Sequence, residues 1–270
     1  MRAHLPILPL LLALTGALAV PIVGLAWRRV CWPLTVAAAA AASAAAIAGV
    51  ADVVARGPQR YAVGGWPPPW GIEVVLDPLS AFSAAAVASV ATCALLASGP
   101  GALRAYGIGV AAFYSLALVA LTGFLGIIAS GDVFNVFVFL EIAAIATYAL
   151  VATGGGAALA AAFRYIVLGT VGASFYLIGV GLLYALTGTL NMADLAARLP
   201  ATSGSPVFAG GVAFATVGLA IKMGLFPLHG WLPDAYTHAP APIAAFIAGV
   251  GTKAAAYAIA RTVLYVTRPS

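Results

Sequence analysis

The 270-residue chain is 64% hydrophobic and 7% charged, with a mean hydropathy of +1.10. A water-soluble globule carries about 25% charged residues, so this composition excludes one and points to an all-α polytopic membrane protein. The net charge of +5 rests on 12 Lys and Arg against 7 Asp and Glu; the arginines lie near the ends of apolar runs, a pattern of membrane topology rather than of nucleic-acid binding.

Apolar windows near the ~20 residues needed to cross hydrocarbon predict eight spans, at about 5–26, 31–51, 78–98, 108–129, 133–152, 163–187, 206–226 and 240–266. Arg2 precedes the first window, but its length, Pro21 within it and the Arg28–Arg29 pair after it argue for a transmembrane helix over a cleaved signal. The first connection carries Arg28 and Arg29, the third Arg104, and the fifth Gly154 to Gly156 followed by Arg164, all without an acid. The second carries Asp52, Arg56, Arg60, Glu73 and Asp77, the fourth Asp132, and the sixth Asp194 and Arg198. The positive-inside bias therefore places the arginine-only connections in the cytoplasm and both termini outside a prokaryotic plasma membrane. Within the second connection, GGWPPPWGIEVVLD combines stiff prolines with headgroup-seeking tryptophans, which predicts a short extended hairpin on the outer surface. Cys31 and Cys93 have neither metal-ligand nor CxxC spacing and read as inert thiols.

Asp132 opens the fifth span, where its carboxylate can cap free N–H groups. Glu141 follows nine residues later, about 13 Å along the helix and near the midplane. Two readings stand for such an acid: a static ion pair that holds helices together, or a relay whose protonation follows the distance of a cation. Lys222 ends the seventh run, and Gly224, Pro227, Gly230 and Pro233 after it predict a broken helix that frees carbonyls beside the ammonium. Backbone of that kind is tolerated at membrane depth only against protein or a wet cavity. Lys253 falls about 20 Å into the last span, beyond easy snorkelling, and is the third candidate relay residue.

His229, beside the break, either shuttles protons or hydrogen-bonds the freed carbonyls. Asp234 and His238 read as solvated loop residues or an ion entry, and the two histidines with one aspartate lack the geometry of a metal site. Arg164, Tyr165 and Asn135 are expected to pack on membrane faces, and Asn191 and Asp194 to form a cap or turn. A Gly-rich phosphate loop, a Ser/His/Asp constellation and a nicotinamide fingerprint are all missing from the sequence. No cofactor is therefore expected, and any catalytic redox centre is expected in another polypeptide.

Four stretches carry a resemblance: LDPLSAF (Leu76 to Phe82), SGDVFNVFVFLEIAAIATYALVA (Ser130 to Ala152), LYALTGTLNMADLA (Leu183 to Ala196) and the run from Ala220 to Arg261. The chain resembles the antiporter-like proton-translocating membrane subunits shared by respiratory complex I, membrane-bound hydrogenases and Mrp-type sodium/proton antiporters. The resemblance implies that Glu141, Lys222 and Lys253 lie on a charged, hydrated axis across the membrane middle, with the first two as a switchable pair and His229 on the proton path. DVFNVFVFLE and TGTLNMADL are most similar to the D-type component of Mrp antiporters and its hydrogenase relative, which implies exchange of protons for sodium. A proton-pumping hydrogenase or NADH-quinone oxidoreductase subunit is the alternative, and a non-transporting structural module of such a complex is another.

The implied partners are the other membrane subunits of such an assembly. Family members continue to about fourteen helices as two inverted five-helix repeats. The resemblance therefore divides the chain into an N-terminal three-helix segment, residues 1–107, and a first repeat, residues 108–270. It also implies a fragment or split gene, or a further polypeptide that supplies the second repeat.

Overall fold

The computed structural model describes residues 4–99 and 109–267. Arg2 and Arg104 lie outside the described residues. Eight helices are long and apolar enough to cross a membrane. We number the helices in chain order: α1 (Leu8–Ala26), α2 (Cys31–Arg56), α3 (Pro78–Ser98), α4 (Val110–Ala129), α5 (Val133–Ala152) and α6 (Ala157–Thr187). A short α7 (Met192–Arg198) follows, then α8 (Pro206–Met223), a short α9 (Leu232–His238) and the long final span α10 (Ala241–Thr267). The sixth span thus begins at Ala157, before the predicted 163, because the glycines that precede it end at a positive-φ Gly156 and leave the alanine-rich segment free to wind.

The bundle is arranged about α4, which packs against α1, α2, α3, α5 and α10. Its spanning window is 72% buried, more than that of any other span. Every residue from Ala120 to Ile128 is buried, so neighbours cover all sides of this part of the helix. Gly123 and Gly126 let α5 approach closely, since a Cβ on either would collide with Ala143 or Phe139.

The same device joins α6 to α8. A Cβ on Gly179 would lie 2.4 Å from the Ala215 amide nitrogen, and one on Gly218 would lie 2.4 Å from that of Tyr176. Backbones this close gain dispersion that lipid tails cannot supply. Gly179→Leu is expected to part the two helices and lower stability in detergent by about 1–3 kcal/mol, the usual range for overpacking. Gly181→Leu, at a position facing open space, serves as the control and is expected to leave the melting temperature unchanged.

The second connection forms the expected hairpin, with β1 (Gln59–Ala62) antiparallel to β2 (Glu73–Leu76). It gathers three connections at one end of the bundle. Val74 bridges Ser130, Gly131 donates to the Glu73 carbonyl at 2.8 Å, and Asp132 bridges Asn191. The buried Glu73 carboxylate accepts from Arg60 at 3.1 Å and from Asn191 at 3.2 Å. Near the chain start, His4 reaches Tyr61 of the hairpin, and near its end Arg261 on α10 pairs with Asp77 at 2.6 Å. Both described ends therefore lie on the hairpin side, as eight crossings require.

Candidate functional site

Lys222 occupies the last turn of α8, and the helix ends at the next residue, Met223. Gly224 adopts φ 72°, a left-handed conformation in which its amide bonds back to the last carbonyls of the helix. Pro227 then lacks an N–H, so the chain turns through residues 225–231 before α9 begins. The predicted break is present, with α8 ending at Met223 rather than near 226.

The ammonium of Lys222 reaches α5. Its Nζ lies 3.0 Å from Glu141 Oε1, forming an ion pair between residues far apart in sequence. The partners differ in exposure: the lysine side chain is 6% accessible and the glutamate 29%. A second acceptor, the Tyr148 hydroxyl, lies 3.4 Å from the same nitrogen. Sequence reasoning passed over Tyr148, because an aromatic in an apolar run reads as packing. Its spacing from Glu141, two helical turns on the same helix, was the available signal.

An aromatic column connects this pair to the segment after the break. Tyr148 meets Tyr165 edge-on at 4.5 Å, and Tyr165 stacks flat on Trp231 at 4.0 Å. Trp231 Nε1 donates to the Ile221 carbonyl at 2.8 Å, one residue before Lys222. Tyr165 is therefore buried in this column rather than placed on a membrane face. Asn135 is also buried, donating to the Ser130 hydroxyl at 2.8 Å.

Lys253 stands apart from the pair. The final span widens into π-helix over Ile247–Gly251, which disturbs the regular ladder and leaves the Ala248 carbonyl within reach. Lys253 Nζ donates to that carbonyl at 2.7 Å and contacts the Thr252 hydroxyl at 3.2 Å, both on its own helix. Among the described residues it makes no ion pair, and its side chain is exposed on the chain surface. The structure thus does not bring it into direct contact with Glu141 or Lys222.

His229 lies in the turn beside Phe226, with its Nδ1 buried and without a hydrogen-bond partner among the described residues. Asp234 was read as a solvated or entry residue; it lies on α9 and forms an ion pair with Arg164 of α6. His238 ends α9, with Nδ1 3.0 Å from the Asp234 carbonyl. Asp132 caps α5 through the Asn135 amide at 2.8 Å. Burial raises its carboxyl above the ordinary range, against the lowering effect of the Asn135 and Phe134 amides.

Comparisons with known proteins place this geometry in a family context. The family model described as NADH:quinone oxidoreductase/Mrp antiporter, TM, matches residues 130–270, which include every residue of the pair and of the break. The chain is 48% identical to NADH-quinone oxidoreductase subunit N of Desulforudis audaxviator, covering 99% of this chain and 54% of that protein. It is 34% identical to a Na(+)/H(+) antiporter subunit of Bacillus subtilis, covering 78% of this chain and 43% of that one. Among solved structures, a chain of the archaeal membrane-bound sulfane sulfur reductase superposes with a TM-score of 0.91 at 36% identity, covering 99% of this chain and 54% of that chain. A chain of the Mrp complex from Dietzia sp. superposes at 0.84 with 29% identity, covering 98% and 49%. The chain spans about half the length of these relatives.

Proposed function

The chain belongs to the NADH:quinone oxidoreductase/Mrp antiporter family of membrane proteins, and on that premise we propose that it is a proton-translocating subunit of an antiporter or oxidoreductase assembly. One observation carries the reading: an almost fully enclosed ammonium is held by a carboxylate beside a broken helix. When Glu141 takes up a proton, the attraction is lost and Lys222 is left as a buried charge without its counterion. It must then release its proton or find another acceptor. This converts a protonation event into a displacement of charge within the membrane.

In this proposal Lys253 is the next proton station and His229 transfers between stations, while Asp234 and His238 form the entry. Because Asp234 is paired with Arg164, entry requires that pair to part. Residues 108–270 form the first five-helix repeat, following the three-helix segment of residues 1–107, and both termini face outward. An ammonium on the outer surface of a spanning helix is costly against lipid. The exposed face around Lys253 therefore favours cover by protein, either a neighbouring membrane subunit or a polypeptide carrying the second repeat.

Sodium/proton exchange is one form of the proposal and redox-driven pumping the other. The relatives include both kinds, so the sodium reading is not favoured over pumping of the oxidoreductase type. Proton flux in vesicles holding the complete assembly, driven in one arm by a sodium gradient and in the other by NADH and quinone, separates the two.

A structural reading also has support, since the Arg261–Asp77 and Arg60–Glu73 pairs have similar chemistry and lock the hairpin end. Lys253→Ala distinguishes it from transport. Because the hydrogen bonds of Lys253 among the described residues stay within its own helix, the substitution is expected to leave assembly intact and lower proton flux at least about tenfold. Unchanged flux in that variant favours the structural module.

A further inference from the structure

The geometry points to the Tyr148 hydroxyl as the second resting position of the Lys222 ammonium, a positioning residue that holds the charge when Glu141 lets it go. This rests on the transport reading above and adds where the released ammonium goes.

Lys222 Nζ already lies between two acceptors, Glu141 Oε1 at 3.0 Å and Tyr148 OH at 3.4 Å. Both acceptors project from α5 to the same nitrogen, so the ammonium needs only a small shift, and no movement of a helix, to leave one and rest on the other. A neutral hydroxyl can accept from an ammonium but does not neutralise it. Tyr148 is thus suited to a transient stop, and Glu141 to the resting pair.

The surroundings keep that hydroxyl in place. Gly169 of α6 lies directly against it: a Cβ there would be 1.8 Å from the Tyr148 oxygen. Tyr165 meets the Tyr148 ring edge-on and stacks on Trp231, which holds the carbonyl next to Lys222. The two ends of this short circuit, the hydroxyl and the lysine backbone, are therefore fixed relative to each other by the same aromatic column. A tyrosine that served only to fill space would not need a hydroxyl aimed at the ammonium.

The test uses the full-length protein in its native assembly. Tyr148→Phe keeps the ring and its contact with Tyr165 but has no acceptor. Proton flux is expected to fall about tenfold, the effect of losing one hydrogen bond to a charged group, with assembly intact and the melting temperature lowered only slightly, because Glu141 still holds the ammonium. Gly169→Ala, which pushes the hydroxyl from its place, is expected to give the same fall. Parent-like flux in Tyr148→Phe overturns the proposal, as does a loss of flux that merely tracks loss of assembly.

Infrared difference spectra with ring-labelled tyrosine read the contact without transport. Glu141→Gln is expected to shift the C–O stretch of one tyrosine, and the shift is expected to vanish when Tyr148→Phe is added. A tyrosine spectrum indifferent to Glu141→Gln overturns the second resting position even where Lys222→Ala abolishes flux. A shifted spectrum together with full flux in Lys222→Ala supports the position and removes only the transport reading.

Discussion

Glu141→Ala is expected to destabilise the protein more than Lys222→Ala, although both reduce proton transport to about 1% of the parent or less. The asymmetry follows from exposure. Removing Glu141 leaves an ammonium that is 6% accessible with only the Tyr148 hydroxyl as acceptor among the described residues. Stranding a buried charge in this way costs about 3–5 kcal/mol. Removing Lys222 leaves a carboxylate that is 29% accessible, the partner of the pair that the protein encloses less. Thermal unfolding in detergent reads the difference, with flux in vesicles as the second readout. Equal destabilisation by the two variants would show that the partners share one environment, contrary to the packing described.

Arg261→Ala is the second large effect, and it acts on stability rather than on the pair. Arg261 is 7% accessible within the last span, where it binds Asp77 at 2.6 Å and the Tyr257 hydroxyl at 2.8 and 3.0 Å. Asp77 also caps α3: its carboxylate accepts from the Ser80 amide, while the Ser80 hydroxyl accepts from the Asp77 amide. One side chain thus joins the last span to the hairpin and to the start of α3. Its loss is expected to cost about 3–5 kcal/mol.

The pH dependence of stability should change with it. Burial works against ionisation of Asp77, but Arg261 and the Ser80 bonds outweigh it and hold the carboxyl below its ordinary value. A depressed acid stabilises the fold above its unfolded pKa of about 3.9 and loses that contribution as pH falls through the folded value. The parent is therefore expected to lose stability below about pH 4, and Arg261→Ala to show a smaller loss over that window. An identical acid profile in the two proteins would contradict the role given to this pair.

The eight spans were legible because hydrophobic length is a one-dimensional signal: each predicted window overlaps a helix of the structure. The break after Lys222 was legible for a similar reason, since Gly224 and Pro227 act on the backbone locally. Contacts made across the bundle were not. Arg261 drew no role from the sequence, and only the fold places Asp77, far away in sequence, beside it. Asp234 read as a loop residue because its partner Arg164 lies on another span.

Lys253 illustrates the opposite limit. Its depth in an apolar run was visible, but the π-turn that presents the Ala248 carbonyl to it depends on packing that no local pattern announces. Tyr148 is an intermediate case: its two-turn spacing from Glu141 was visible, but that its hydroxyl meets Gly169 and Lys222 was not.

The most direct measurement is a double-mutant cycle across Glu141 and Lys222 in the full-length assembly, with proton flux as the readout. Acting as a unit, the two residues should lose nearly all flux in either single variant, and Glu141→Gln/Lys222→Gln should lose no more than the worse of the two. Losses that simply multiply, each residue contributing independently of the other, would contradict the account.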